Sequence, residues 1–339
     1  MAIPHCRSYP PPLLSKPDLA GVRPRQVLAY FVCGNPGLID YYDPFLSTLR
    51  ELLDSSSSLA GTSIHLYGQD LAGFKDADHK PFTSQRKPYD LEFQIQHTLS
   101  VLKDIRIASG SFRGQSYDDV LLIGHSIGCY VALELCHRLL KNPELAPTLK
   151  ITSGILLFPT ISHMSSSPSG WKLDLLRRIP ILGDNAYRIA QGFLRLLPYG
   201  LLHWIVRKVM GFPPHAAQVT TDWLKSQDGV WQTLHLGMDE MKVVKQDTWG
   251  QELWEVAHEA EAHQTRAPKF YFFYGRNDHW ISDRYRDEFI EKRQRQIERT
   301  RFIIDEGNLP HAFCIRHSET VAEKVNRWIN ELYGNPRDV

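Results

Sequence analysis

Gly124-His125-Ser126-Ile127-Gly128 is a G-x-S-x-G pentapeptide placed between the apolar run DDVLLIGHS (Asp118 to Ser126) and a helix-length segment, Ile127 to Lys141. Glycines two places before and after a serine leave room for neighbouring segments on a sharp strand-to-helix turn, which pushes the hydroxyl out above the sheet edge. The helix behind the turn aims its first amides at negative charge developing near that oxygen. A serine hydroxyl attacks only when a base takes its proton, and the base must itself be oriented by a third group. The chemistry to look for is acyl transfer from an ester, with an acid and a histidine further along the chain.

Asp278 follows the strand-like PKFYFFYG (Pro268 to Gly275), and His311 follows RFIID (Arg301 to Asp305). Both lie past strand ends, on the rim where doubly wound sheets carry their sites, in the chain order serine, acid, histidine. Asp283 reads as part of the next helix start and Asp305 as a local cap or pair, so both are weaker choices for the acid. His279 directly follows the acid and would point elsewhere, and His317 reads as the start of the last helix; both rank below His311 as the base. His125 is expected to pack inside the turn, within reach of an acyl pocket. An oxyanion needs two amide donors. Ile127 N–H is one; the other is expected from Cys33-Gly34-Asn35-Pro36-Gly37, where Pro36 has no N–H and Asn35 is the choice.

These groups need a scaffold that brings strand ends together. VLAYFVCG (Val27 to Gly34), SIHLYGQ (Ser63 to Gln69), the run before Ser126 and ITSGILLF (Ile151 to Phe158) read as strands. Helices fall between them, one capped by Asp90 and carrying Phe93, Ile95, Leu99, Leu102 and Ile105, another at the C-terminus carrying Val321, Val325, Trp328, Ile329 and Leu332. Alternation of this kind predicts an α/β fold with a doubly wound, mostly parallel sheet. It stops from Pro159 to about Gln264, a length too great for a structureless loop, so an inserted helical cap is expected there. The expected organisation is a Pro-rich leader over 1–25, a core over 26–158 and 266–339, and a cap over 159–265. No strand is evident before Val27, so an edge hairpin is expected to be missing.

Composition narrows the chemistry. The chain has 339 residues with 39 basic and 38 acidic side chains, and this near-neutral balance gives no field for gripping nucleic acid. Five cysteines without CxxC spacing argue against a disulfide framework or a zinc ribbon. The N-terminus lacks a secretory pattern, and the apolar stretch Leu196 to Val206 is far short of the roughly 20 residues of a spanning helix. His258-Glu259-Ala260-Glu261-Ala262-His263 is one residue too long for HExxH, so at ~100° per residue its histidines would point apart. No metal and no cofactor are expected.

Between Gly170 and Met210 the chain carries Lys172, Arg177, Arg178, Arg188, Arg195, Arg207 and Lys208 against Asp174 and Asp184, interleaved with leucines, Phe193 and Trp204. A stretch like this can lie in a lipid headgroup layer or cover an apolar cleft, and either role favours an acyl-chain substrate.

VCGNPGLIDYYDPF (Val32 to Phe45), LIGHSIGCY (Leu122 to Tyr130), YGRNDHWI (Tyr274 to Ile281) and PHAFC (Pro310 to Cys314) together resemble the lipid droplet-associated hydrolase family of α/β-hydrolases. The resemblance runs from about Gln26 to Leu332, and GNPG followed by a tyrosine pair is its most discriminating piece. It implies an α/β-hydrolase fold, Ser126 as nucleophile, Asp278 as acid and His311 as base. It further implies neutral-lipid or sterol-ester hydrolysis at a lipid droplet or endoplasmic reticulum surface, on the cytosolic face. One departure is Gln69-Asp70-Leu71-Ala72-Gly73-Phe74, where family members tend to carry a histidine-containing stretch. The resulting expectation is a cofactor-free serine ester hydrolase whose partners are a lipid ester and a lipid surface. Two alternatives are an acyltransferase using the same three residues and a non-catalytic droplet-surface protein with an inherited fold.

Overall fold

A strand covered on both faces has no polar side to keep, and the two most continuous apolar runs accordingly sit in the middle of the sheet. The computed structural model describes residues 5–11, 23–178, 187, 190–247, 249, 251–254, 268–293 and 300–335. In it β1 (Cys6–Tyr9), β2 (Arg25–Val32), β3 (Thr62–Gln69), β4 (Asp119–His125), β5 (Ile151–Leu157), β6 (Lys269–Tyr274) and β7 (Thr300–Ile304) form one sheet in the order β1-β3-β2-β4-β5-β6-β7. β2 to β7 are parallel. Every residue of β4 is buried, and so is every residue of β2 except Arg25. The chain steps from β2 outward to β3 and then returns to β4 on the opposite flank. At such a reversal the loops leaving the two central strands separate and open a crevice at their C-terminal ends.

The leader contributes a strand, contrary to expectation. β1 pairs antiparallel with β3, Cys6 opposite Gln69 and Tyr9 opposite Leu66. Its four residues, CRSY, carry no apolar alternation, so no local pattern announces it. Contacts with distant residues hold it: His5 and Arg7 reach Asp40 at 2.8 and 3.0 Å, and the Tyr9 hydroxyl donates to Asp43.

The flanking helices follow their apolar spacing. α1 (Asp43–Asp54) buries Phe45, Leu46, Leu49 and Leu53. α2 (Leu91–Asp104) begins where the Asp90 carboxylate accepts Phe93 N–H at 2.8 Å. Its buried stripe runs through Leu91, Ile95, Thr98 and Leu102, while Phe93 is half-buried and stacks on Tyr89. α3 (Ile127–Lys141) leaves the end of β4 directly.

Between β5 and β6 the described residues are helical and contain no strand: α4 (Gly170–Arg178), α5 (Tyr199–Trp204) continuing into a π-turn at Ile205–Val209, α6 (Pro214–Lys225), α7 (Gly229–Val243) and α8 (Gln251–Trp254). Specific bonds dock this insertion on the core. Tyr41 O–H meets Thr220 Oγ1 at 2.8 Å, and the Asp76 carboxylate accepts Gln227 N–H and Asp228 N–H at 2.7 and 3.0 Å. After β6 come α9 (Asp283–Arg293) and α10 (Ser318–Tyr333), which buries Val321, Ala322, Val325, Trp328 and Ile329 and packs on α1. Among the described residues no helix is long and apolar enough to cross a membrane. His258 and His263, Ile179, Ile181, Leu182, Asp184 and Arg188, and the side chains of Leu173, Leu176, Arg177 and Arg178, lie outside what is described.

Candidate active site

Ser126 stands at the joint of β4 and α3 with φ 54° and ψ −123°, a backbone conformation that is strained for a residue with a side chain. Space dictates the glycines around it. A Cβ on Gly124 would lie 2.7 Å from Gly128 O and 2.8 Å from Cys129 Cα, and one on Gly128 would run into the carbonyl of Val32. α3 can therefore close against β4 and β2 only with glycine at both positions. The turn is also tied to β5, because Ser126 N–H donates to Leu157 O at 3.0 Å.

Three distant residues meet on the rim. His311 Nε2 is 2.8 Å from Ser126 Oγ, and His311 Nδ1 is 2.6 Å from Asp278 Oδ2. Their loops leave β4, β6 and β7, and all three side chains are buried. With Nδ1–H given to a carboxylate, the lone pair resides on Nε2, where it can accept the Ser126 hydroxyl proton. Burial alone would raise the Asp278 carboxyl. The electrostatic attraction of the facing His311 ring and its hydrogen bond outweigh burial, with help from Trp280 N–H on Oδ1 at 2.9 Å, and hold the carboxyl below its usual range. A buried carboxylate fixing one imidazole tautomer against a serine hydroxyl is an arrangement able to generate a nucleophile.

The two amides expected as oxyanion donors belong to Ile127, next to Ser126, and to the loop after β2, whose Gly34 lies against Ser126. Ile127 opens α3, so its N–H has no carbonyl four residues back within the helix. Across the crevice, Gly34 N–H is given to Tyr42 Oη at 3.1 Å, which leaves Asn35 as the next amide of the loop after β2. The Asn35 side chain turns toward the insertion: Nδ2 donates to Thr233 O at 3.1 Å and Glu240 Oε1 at 3.0 Å, both on α7. Glu240 is fully enclosed, and burial pushes its carboxyl up to about 8. It is therefore a neutral acid at neutral pH.

The remaining candidates fall elsewhere. Asp283 sits in the first turn of α9, paired with Arg286 at 2.6 Å. Asp305 accepts Leu309 N–H at 2.9 Å and shapes the turn that leads to His311. The His279 side chain is exposed, and His317 immediately precedes α10. His125 does more than pack: its Nδ1 is 2.7 Å from Tyr42 Oη and its Nε2 is 2.9 Å from the His311 carbonyl. Asp76, His79 and Asp228 lie close enough to share a cation, yet the Asp76 carboxylate holds two backbone N–H groups, Asp228 accepts Phe82 N–H, and His79 Nδ1 bonds Lys80 O. Sequence reasoning assigned no role to Tyr42 or Glu240. The available hint for Glu240 is an acid on the apolar stripe that α7 forms with Leu236 and Met241.

Residues 25–314 match the sequence profile of the family described as lipid-droplet associated hydrolase. The chain belongs to that family. Relatives named lipid droplet-associated hydrolase include one from Rattus norvegicus, 28% identical over 92% of this chain and 87% of its own length, and one from Drosophila melanogaster, 24% identical over 88% of each. The lipid droplet-associated hydrolase family assignment makes the protein a hydrolase. Its fold is that of the α/β-hydrolases. The peroxisomal alpha-beta-hydrolase of Saccharomyces cerevisiae superposes with a TM-score of 0.58 at 13% identity, covering 98% of this chain and 89% of that one. An epoxide hydrolase from Vigna radiata gives 0.54 at 14% identity, covering 91% and 92%.

Proposed function

We propose that this hydrolase is a serine ester hydrolase that cleaves neutral-lipid acyl esters, of the lipase or sterol esterase type, at the surface of a lipid droplet or of the endoplasmic reticulum on its cytosolic face. The observation carrying the reading is the pair of short contacts that links Ser126 through His311 to Asp278 at 2.8 and 2.6 Å.

In this mechanism Ser126 Oγ attacks the ester carbonyl carbon while His311 Nε2 takes its proton. The carbonyl electron pair moves onto oxygen, where Ile127 N–H and Asn35 N–H stabilise it, each such donor being worth roughly 10²-fold or more in rate. Collapse of the intermediate expels the alcohol, which leaves with the proton from His311, and Ser126 holds the acyl group. Water then attacks that acyl-enzyme, gives a proton to His311, and the fatty acid departs as Ser126 recovers its hydrogen. Asp278 stays ionised throughout and pairs with the imidazolium that forms twice per cycle. None of these steps calls for a cofactor.

The insertion supports the lipid part of the reading. Phe193, Leu196, Trp204 and Val209 are 65%, 82%, 54% and 68% exposed, and Lys172, Arg195 and Lys208 are exposed among them. An exposed apolar set mixed with cations suits a headgroup layer, apolar side down. The droplet association named for the relatives points the same way.

The test is labelling of the intact protein with a fluorophosphonate probe, followed by mapping of the modified peptide and assay on p-nitrophenyl butyrate. Modification at Ser126, lost together with esterase activity in Ser126→Ala, is expected. A folded protein that neither reacts with the probe nor turns over the ester would refute the reading.

A further inference from the structure

Burial keeps the His125 imidazole uncharged, holding its proton affinity down to about 3. A neutral imidazole has one donor and one acceptor, and its surroundings fix which is which. Nε2 faces the carbonyl oxygen of His311 at 2.9 Å, a group that only accepts, so Nε2 carries the hydrogen. Nδ1 is therefore the acceptor, and Tyr42 donates its O–H to it at 2.7 Å. The Tyr42 oxygen in turn accepts Gly34 N–H at 3.1 Å. All bonds in this series thus run in one direction, from the loop after β2, through Tyr42 and His125 in the Gly124–Gly128 turn (the elbow), to the loop that carries His311.

The series is enclosed and has little slack. Tyr42 and His125 are both buried, and His125 is boxed by Phe158 and Phe313 at ring separations of 6.1 and 5.0 Å. Gly34 is pressed against the elbow, where an added Cβ would lie 2.9 Å from His125 Nδ1 and 3.1 Å from Ser126 Cβ. The Cys314 thiol is a further neighbour of the Tyr42 hydroxyl. One buried network therefore touches the backbone on both sides of the reacting oxygen: the peptide before Asn35 and the peptide carrying the His311 side chain.

We propose that Tyr42 and His125 are positioning residues that hold the base loop and the oxyanion loop in register with Ser126, acting through the His311 carbonyl and the Gly34 amide. This rests on the ester hydrolase reading, and it adds two residues to that site that never touch substrate. Displacements of about 1 Å in such a constellation cost on the order of 100-fold in rate. An uncharged His125 also adds no like charge beside His311 when that ring becomes an imidazolium, although the two rings are only 5.2 Å apart.

Three variants of the full chain test this: Tyr42→Phe, which removes one oxygen; His125→Leu, which removes both ring partners; and His125→Gln, whose amide can still donate to the His311 carbonyl and accept from Tyr42. On p-nitrophenyl butyrate, Tyr42→Phe and His125→Leu should lose roughly 10- to 100-fold in kcat with KM within about two-fold, and His125→Gln should recover most of the loss. ¹⁵N-histidine spectra of the same proteins should show His311 displaced in the first two and restored in the third. Folded Tyr42→Phe and His125→Leu with unchanged kcat, a loss carried by KM, or a His125→Gln as impaired as His125→Leu would each overturn the proposal. If the wild-type protein is inert toward both ester and fluorophosphonate, the hydrolase reading fails separately. The His311 spectra then decide: an unperturbed His311 in Tyr42→Phe and His125→Leu overturns the positioning role, and a displaced one upholds it.

Discussion

Asn35 Nδ2 donates to Glu240 Oε1 at 3.0 Å, so the loop that would supply an oxyanion donor is bonded directly to the buried face of α7 in the insertion. The second Asn35 bond, to Thr233 O at 3.1 Å, fixes which way the amide points, since a carbonyl can only accept. The insertion and the candidate site thereby share a contact with an unusual acid in it.

That acid predicts a pH dependence of stability. Burial raises the Glu240 carboxyl from about 4.5 to about 8, so between those values the folded state holds a proton that the unfolded state releases. Folding is then undiminished below about 4.5, loses stability as pH rises through that window, and levels off above about 8. Glu240→Gln keeps the acceptor for Asn35 and has nothing to ionise. Its unfolding free energy from urea titration should lie within about 1 kcal/mol of wild type at pH 5 and exceed it at pH 9 by on the order of 5 kcal/mol. A wild-type protein as stable as the variant at pH 9 would show that Glu240 ionises without cost.

Asp278→Asn keeps the shape of the acid while its amide can offer N–H where Oδ2 now accepts from His311 Nδ1. The imidazole should turn to the wrong tautomer, and kcat on a soluble ester should fall roughly 10²- to 10⁴-fold with little change in KM. Retention of more than a tenth of the wild-type rate would remove Asp278 from the proposed mechanism.

The strained backbone at Ser126 separates two inactive variants. Alanine at this position keeps the φ of 54° and its cost, while glycine adopts that conformation freely. Ser126→Gly should therefore be more stable than Ser126→Ala by about 1 kcal/mol in chemical denaturation. Equal stability of the two would mean that the elbow stores no strain.

Lipid attachment through the insertion should be separable from chemistry. The triple variant Phe193→Asp, Leu196→Asp, Trp204→Asp should bind phospholipid-coated triolein droplets about 10-fold or more weakly in flotation, because burial of each such side chain is worth up to 1.5–3 kcal/mol. Its turnover of p-nitrophenyl butyrate should stay within about two-fold. Unaltered flotation would locate the lipid contact elsewhere on the surface.

How far the sequence could be read depended on whether the cause was local. The elbow was legible because its glycines answer to sterics within five residues, and the parallel sheet because β2 and β4 are nearly unbroken apolar runs. Strand β1 was missed because CRSY becomes a strand only through β3, Asp40 and Asp43. The tyrosine pair at Tyr41 and Tyr42 stood out as a motif, but its use was hidden: one hydroxyl reaches Thr220 in the insertion and the other His125 in the elbow. Glu240 lies some two hundred residues from Asn35, and no spacing rule connects a helix acid to a loop that far away.

The antiparallel pairing of β1 has a practical side for anyone handling the protein. Trimming the proline-rich beginning to tidy an expression clone would strip the outermost ribbon from the sheet and leave the backbone of β3 bare along Leu66 to Gln69. Bare edges of this kind recruit other chains. A shortened version should therefore clump with its own copies even where its chemistry is intact, and loss of soluble yield would mislead anyone who took it for a damaged catalyst.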